Sequence, residues 1–76
     1  MAEARLTTIT FTTNGGLGNA AGVVAGDRIV NVLDTSDWSD QTSLFAEVAP
    51  TSGKLLQTGT YGGTPGNTGV VLLARA

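Results

Sequence analysis

A chain of 76 residues with a net charge of −2 has room for one domain, spanning 1–76. With neither cysteine nor histidine, disulfides are excluded and a zinc site lacks its usual ligands. The four basic residues, Arg5, Arg28, Lys54 and Arg75, are too scattered to form the basic patch that nucleic-acid binding or polybasic membrane attachment requires. A domain this small buries only about 60% of its unfolded surface and is marginal alone. With disulfides and zinc removed, oligomerisation is the remaining remedy. Only 13% of the residues are charged, against roughly 25% in an average domain. That deficit suits a surface buried against other subunits, because interface centres are depleted in charge.

In chain order, Arg5 to Thr13 alternates Ile9 and Phe11 with Thr8, Thr10 and Thr12. This period-two pattern predicts a half-buried strand. Residues 14–19, beginning with the turn dipeptide Asn14-Gly15, read as a flexible loop. The next segment, Ala21 to Leu33, breaks at Gly26-Asp27 and continues as the β-branched strand Arg28–Leu33. Pairing of that strand with the short piece before Gly26 would make a hairpin. Residues 34–43, DTSDWSDQTS, are the most polar stretch. They read as a loop leading into a strand, with a short helix capped by Asp37 as the alternative. Ser43 to Ala49 places Leu44, Ala46 and Val48 on one face and Phe45, Glu47 and Ala49 on the other. Pro50 to Gly53 is a turn, and Lys54 to Thr60 follows as a strand, so these two segments are expected to pair as a hairpin. Residues 61–69 form a second glycine-rich loop. The closing run, Val70 to Arg75, is apolar on both faces and needs cover on both sides, either within the chain or from a neighbouring subunit. The expected fold is therefore all-β: a small β-sandwich or barrel of five to six short strands with two long Gly-rich loops.

Several patterns invite a chemical reading. Gly16, Gly18 and Gly22 resemble a dinucleotide-binding glycine loop after a strand. That chemistry needs a following helix, and Gly26-Asp27 ends any helix almost at once, so no cofactor is expected. Asp34, Asp37 and Asp40 recur every third residue. They could ligate Ca²⁺, but the spacing is not that of an EF-hand, and turn and cap roles are the commoner use. Glu3, Asp27, Glu47 and Lys54 form no evident acid–base pair, and no enzymatic activity is expected. Trp38 and Tyr61 lie in or beside polar loops. Each could lid the core, anchor an interface or stack on a sugar. The segment Ala2 to Thr13 could add a strand to a neighbour. Candidate interface residues are Ile9, Phe11, Trp38, Tyr61, Val71 and Leu73. No apolar stretch of signal-peptide length opens the chain and none approaches the roughly 20 residues of a membrane span, so neither secretion nor membrane attachment is expected.

The run GDRIVNVLDTSDWSDQTSLFAEVAPTSGKLLQTGT and the ending GVVLLARA resemble small structural proteins of tailed bacteriophages. The features carrying the resemblance are the phenylalanine strand at Phe45, the turn at Gly53 and the strand Leu55-Leu56-Gln57. The resemblance implies a non-enzymatic virion protein, most simply a capsid decoration (cement) protein, homotrimeric, bound where major capsid protein subunits meet. A tail, head-fibre or adaptor component is the alternative within the virion. A small β binding module for a glycan or peptide is the alternative outside it. The implied location is the virion, assembled in the host cytoplasm.

Overall fold

The computed structural model describes residues 3–75. Five strands form two antiparallel sheets. They are β1 (Glu3–Thr10), β2 (Gly16–Asn19), β3 (Arg28–Asp34), β4 (Lys54–Gln57) and β5 (Thr68–Arg75). The only helical element among the described residues is one 3₁₀ turn, Thr42–Leu44. The fold is all-β, with strand order β1-β5-β3 in one sheet and β2-β4 in the other.

The apolar strand β5 lies at the centre of the three-stranded sheet. It pairs with β1 in a register that runs from Glu3 opposite Arg75 to Thr10 opposite Thr68. On its other side it pairs with β3, where a bulge at Val30 shifts the register between Ile29 and Asn31. The inner face of this sheet carries Ile9, Val32, Val71 and Leu73. They pack with Phe11, Leu55 of β4, and Ala20, Val23, Phe45, Ala49 and Tyr61 from the connecting segments. The three aromatic rings form one unit. Phe11 stacks on Tyr61 at 4.4 Å and 16° and tilts against Phe45 at 6.0 Å.

Three local expectations are corrected. Residues 16–19 are not loop but the strand β2, paired with β4 from Gly16 opposite Gln57 to Asn19 opposite Lys54. Glycine at position 18 permits this, because a Cβ there would lie 2.9 Å from the Ile9 Cδ1 atom. The piece before Gly26 makes no hairpin with β3; the Gly26 N–H donates to the Ala49 carbonyl at 3.0 Å. Ser43 to Ala49 makes only isolated bridges, and the hairpin with β4 is absent. The segment instead divides its hydrogen bonds between the two sheets. On one side, the Ile29 N–H donates to the Glu47 carbonyl (2.8 Å) and the Ala49 N–H to the Asp27 carbonyl (2.8 Å). On the other, the Ala46 N–H donates to the Leu56 carbonyl (2.9 Å), while the Leu44 carbonyl accepts from Thr58 and Gly59 (2.6 and 3.1 Å). A chain that serves two sheets alternately cannot extend a ladder in either.

Candidate assembly surface

The backbone of β1 alternates between two directions. The Phe11 N–H donates to the Asn67 carbonyl at 2.9 Å, continuing the ladder towards β5. In an antiparallel pair, every second residue bonds to the same neighbour. The odd residues of β1 therefore turn their backbone groups to β5 and, through Thr7 and Ile9, bury their side chains. The even residues, Ala4, Leu6, Thr8 and Thr10, turn their N–H and C=O groups to the free edge and their side chains to the outer face. No described residue donates to or accepts from those edge groups.

The opposite edge of the same sheet is covered. Along β3, the Gln41 N–H donates to the Val32 carbonyl (2.8 Å) and the Asp34 N–H to the Ser39 carbonyl (2.9 Å). The Val32 N–H finds the Thr42 hydroxyl at 2.9 Å. This cover is held by three successive Asx turns. Asp34 accepts from the Ser36 N–H and hydroxyl (2.9 and 2.7 Å). Asp37 accepts from Ser39 in the same way (3.0 and 2.7 Å), and Asp40 from Thr42 (2.9 and 2.6 Å). The signal was present in the sequence as a tandem Asp-x-Ser/Thr triplet, DTS-DWS-DQT, a pattern in which the side chain mimics a backbone turn. Each carboxylate is engaged in its own turn, and no metal-binding cluster is found among the described residues.

The outer face of the sheet is largely apolar. One row runs Leu6–Leu72–Asn31 and the next Thr8–Val70–Leu33, with Ala4 and Ala74 beside them. Leu6 is 71% exposed and Val30, at the bulge, 52%. Val70, Leu72 and Leu33 are half-buried. Of the six residues expected at an interface, Ile9, Phe11, Tyr61, Val71 and Leu73 are buried in the chain's own core. They pack together with Leu55 of β4. The parity of β5 was open in an all-apolar run, and it is Val70, Leu72 and Ala74 that face outward. Trp38 alone of the six is on the surface, 65% exposed, with a φ of 60°, uncommon for a bulky residue. The Trp38 N–H donates to the Asp34 carbonyl at 2.6 Å.

Two buried polar clusters hold the sheet in place. The Tyr61 hydroxyl donates to Asp34 Oδ2 and accepts from the Asn67 amide at 3.1 Å. The bond from Tyr61 is the main reason the Asp34 carboxyl is held below the usual carboxylate range, against the opposing effect of burial. The same pairing raises the Tyr61 phenol. At the other end, Arg75 clasps buried Asp27 with two bonds of 3.0 Å each, and the Val24 N–H adds a third at 2.9 Å. The Arg75 bond leads in depressing the Asp27 carboxyl, and the Val24 amide follows. Arg75, at the end of β5, is thereby tied down, and its guanidinium also donates to the Gly22 carbonyl at 2.7 Å. The Asp27–Arg75 link spans the domain from the Gly26 turn to the last described residue of β5. In both clusters the buried carboxylate is hydrogen-bonded within the chain, and Asp27 also has a cation in Arg75. No enclosed pocket is found among the described residues.

Comparison of the chain with protein-family models, curated proteins and solved structures returns no match.

Proposed function

We propose that this chain is a non-enzymatic structural subunit that works by assembly, forming a homo-oligomer that binds other protein subunits through its three-stranded sheet. The observation that supports the reading is the outer face of that sheet. It carries Leu6, Leu72, Val70 and Leu33 in two adjacent rows across β1, β5 and β3 and meets an edge whose backbone groups have no partner among the described residues. Exposed apolar area and an open edge together favour protein–protein association. The setting proposed is a virion, with capsid decoration at the joints between major capsid protein subunits, in keeping with the resemblance to small phage structural proteins. There the apolar face would add buried area across a joint under strain.

The test is the Leu6→Asp variant, since Leu6 is exposed and its replacement leaves the core untouched. Wild type should elute as a multiple of 7.7 kDa in size-exclusion chromatography with light scattering, and should co-sediment with expanded coat shells. Leu6→Asp should remain folded by circular dichroism and lose both properties. A folded variant that still assembles and still binds would count against this surface. The second reading is a glycan-binding module, favoured only by the exposed indole of Trp38. It requires loss of ligand in Trp38→Ala on a glycan screen.

A further inference from the structure

We infer that the free edge of β1 is the site of self-association, and that two copies pair antiparallel along it to make one continuous six-stranded sheet. This rests on the assembly reading above and deepens it by naming the partner and the geometry.

Three features point to a second copy. First, the edge is single. The β3 edge of the sheet is covered by residues 39–49, so pairing of β1 with β1 uses up the sheet's free edges. The sheet then closes at six strands in the order β3-β5-β1-β1-β5-β3. A two-fold, isologous contact of this kind ends the assembly, whereas a heterologous edge contact would propagate it.

Second, the edge complements itself. Its outward residues are Ala4, Leu6, Thr8 and Thr10, with β2 passing beside the Thr10 end, where a Cβ at Gly18 would lie 4.0 Å from the Thr10 carbonyl oxygen. In the register that sets Ala4 opposite Thr10 of the second copy, and Leu6 opposite its Thr8, each such pair exchanges two backbone hydrogen bonds. Thr7 then lies on the two-fold axis. On the outer face, the row Leu6–Leu72–Asn31 of one copy continues into Thr8–Val70–Leu33 of the other. The exposed Leu6 side chains of the two copies become diagonal neighbours, within reach of each other.

Third, charge permits it. Glu3 and Arg5, the only charged residues of β1, are joined by an ion pair of 2.8 Å within one copy. The same register puts the two Glu3–Arg5 pairs at opposite ends of the joint, with Glu3 opposite Phe11 and Arg5 opposite Ile9 of the second copy. No like charges face each other. The stretch Leu6 to Thr10 contains no lysine, proline or bulge, the usual devices that keep an edge from pairing.

The test uses the direction of one N–H. The Thr8 N–H points to the free edge and has no intrachain acceptor, so Thr8→Pro removes a bond of the dimer and none of the monomer. Proline is tolerated on an edge strand at this kind of position. Light scattering on wild type should give two copies of the 7.7 kDa chain; Thr8→Pro should give one, with an unchanged circular dichroism spectrum. If Thr8→Pro does not fold, amide hydrogen exchange on wild type decides the matter. The Leu6 and Thr8 amides should be protected in the dimer and become unprotected on dilution to monomer. A wild-type chain that stays monomeric at all concentrations overturns the inference; the assembly reading is then judged separately by co-sedimentation with coat shells. A wild-type oligomer that survives Thr8→Pro, or that leaves the Leu6 and Thr8 amides exchanging freely, overturns the edge pairing while leaving assembly through another surface in place. A three-copy mass also overturns the two-fold pairing.

Discussion

Gly69 occupies the place where β5 passes beneath the aromatic unit. A single added methyl group there tests how rigidly the unit is held. A Cβ at Gly69 would stand 2.6 Å from Phe11 Cζ, 3.0 Å from Cε2 and 3.1 Å from the Leu33 carbonyl oxygen. Leu33 is backbone in a paired strand and has no freedom to retreat. The Phe11 ring is fully buried, stacked on Tyr61 at 4.4 Å and braced by Phe45 at 6.0 Å. Restricting the unfolded chain by Gly→Ala stabilises by about 0.4–1 kcal/mol where the site has room. Overpacking a well-filled core costs about 1–3 kcal/mol. The second effect is the larger, and Gly69→Ala should be destabilised by about 1–2 kcal/mol net, which for a domain of this size is a fall in Tm of roughly 5–15 °C. Thermal and urea unfolding followed by circular dichroism read the change. Gly62→Ala is the control, because nothing lies within 4 Å of a Cβ there, and it should lose no stability. Adding Phe11→Leu to Gly69→Ala should cost less than Phe11→Leu costs alone, since the two substitutions share one space. A Gly69→Ala protein that melts at or above the wild-type temperature would refute the claim that the ring is fixed against β5.

Two further outcomes follow from the buried polar groups. Asp27 has its carboxyl lowered in the folded state, chiefly by the Arg75 hydrogen bond. Its contribution to stability is therefore present above the ordinary carboxylate value and is lost as pH falls through the lowered folded value. Asp27→Asn should be less stable than wild type at neutral pH, and the two urea-unfolding curves should converge in acid; a constant gap at every pH would contradict the ion pair. Gln57 is buried and bridges three backbone groups. Its amide donates to the carbonyls of Thr12 (2.7 Å) and Gly59 (2.9 Å) and its oxygen accepts from the Thr12 N–H (3.1 Å). Gln57→Leu keeps the volume and strands all three groups, for a loss of about 2–3 kcal/mol measurable by urea unfolding. Unchanged stability would mean that water replaces the amide.

The regular strands were legible where the pattern had period two. The alternation of Thr with Ile9 and Phe11 located β1 and its buried face, and the β-branched run Arg28 to Leu33 located β3. In β1, and in β3 beyond its bulge at Val30, successive residues alternate between the inner and outer face. What escaped was settled by partners distant in the chain. Nothing local distinguishes Gly16–Asn19 as a strand; its pairing with Lys54–Gln57 and the passage of Gly18 over Ile9 do so. Ser43 to Ala49 has strand-like composition, but its hydrogen bonds are divided between two sheets. The parity of Val70 to Leu73 is undetermined in an apolar run; in the fold Val71 and Leu73 turn to the core and Val70 and Leu72 to the outer face. The Asp34, Asp37 and Asp40 spacing was visible. Its meaning as three turns became clear only with each Asp read together with the hydroxyl residue two places on.

The two edges of the three-stranded sheet have opposite chemistry, and the difference is informative. The β3 edge carries a bulge at Val30, which disturbs pairing, and three Asx turns then lay a polar segment over it. The cost is backbone strain at Trp38, the one non-glycine residue with positive φ among those described, which a bulky side chain resists by about 1–2 kcal/mol. A domain of this size has only about 4–11 kcal/mol of net stability, so such strain is a substantial fraction of the total. An edge exposed merely by chance would invite aggregation unless blunted. The β1 edge has eight residues in regular extended geometry, an outer face of Ala4, Leu6, Thr8 and Thr10, and no interruption. The proposed pairing through β1 would account for this asymmetry, because it would cover the one edge of the sheet that the chain's described residues leave open.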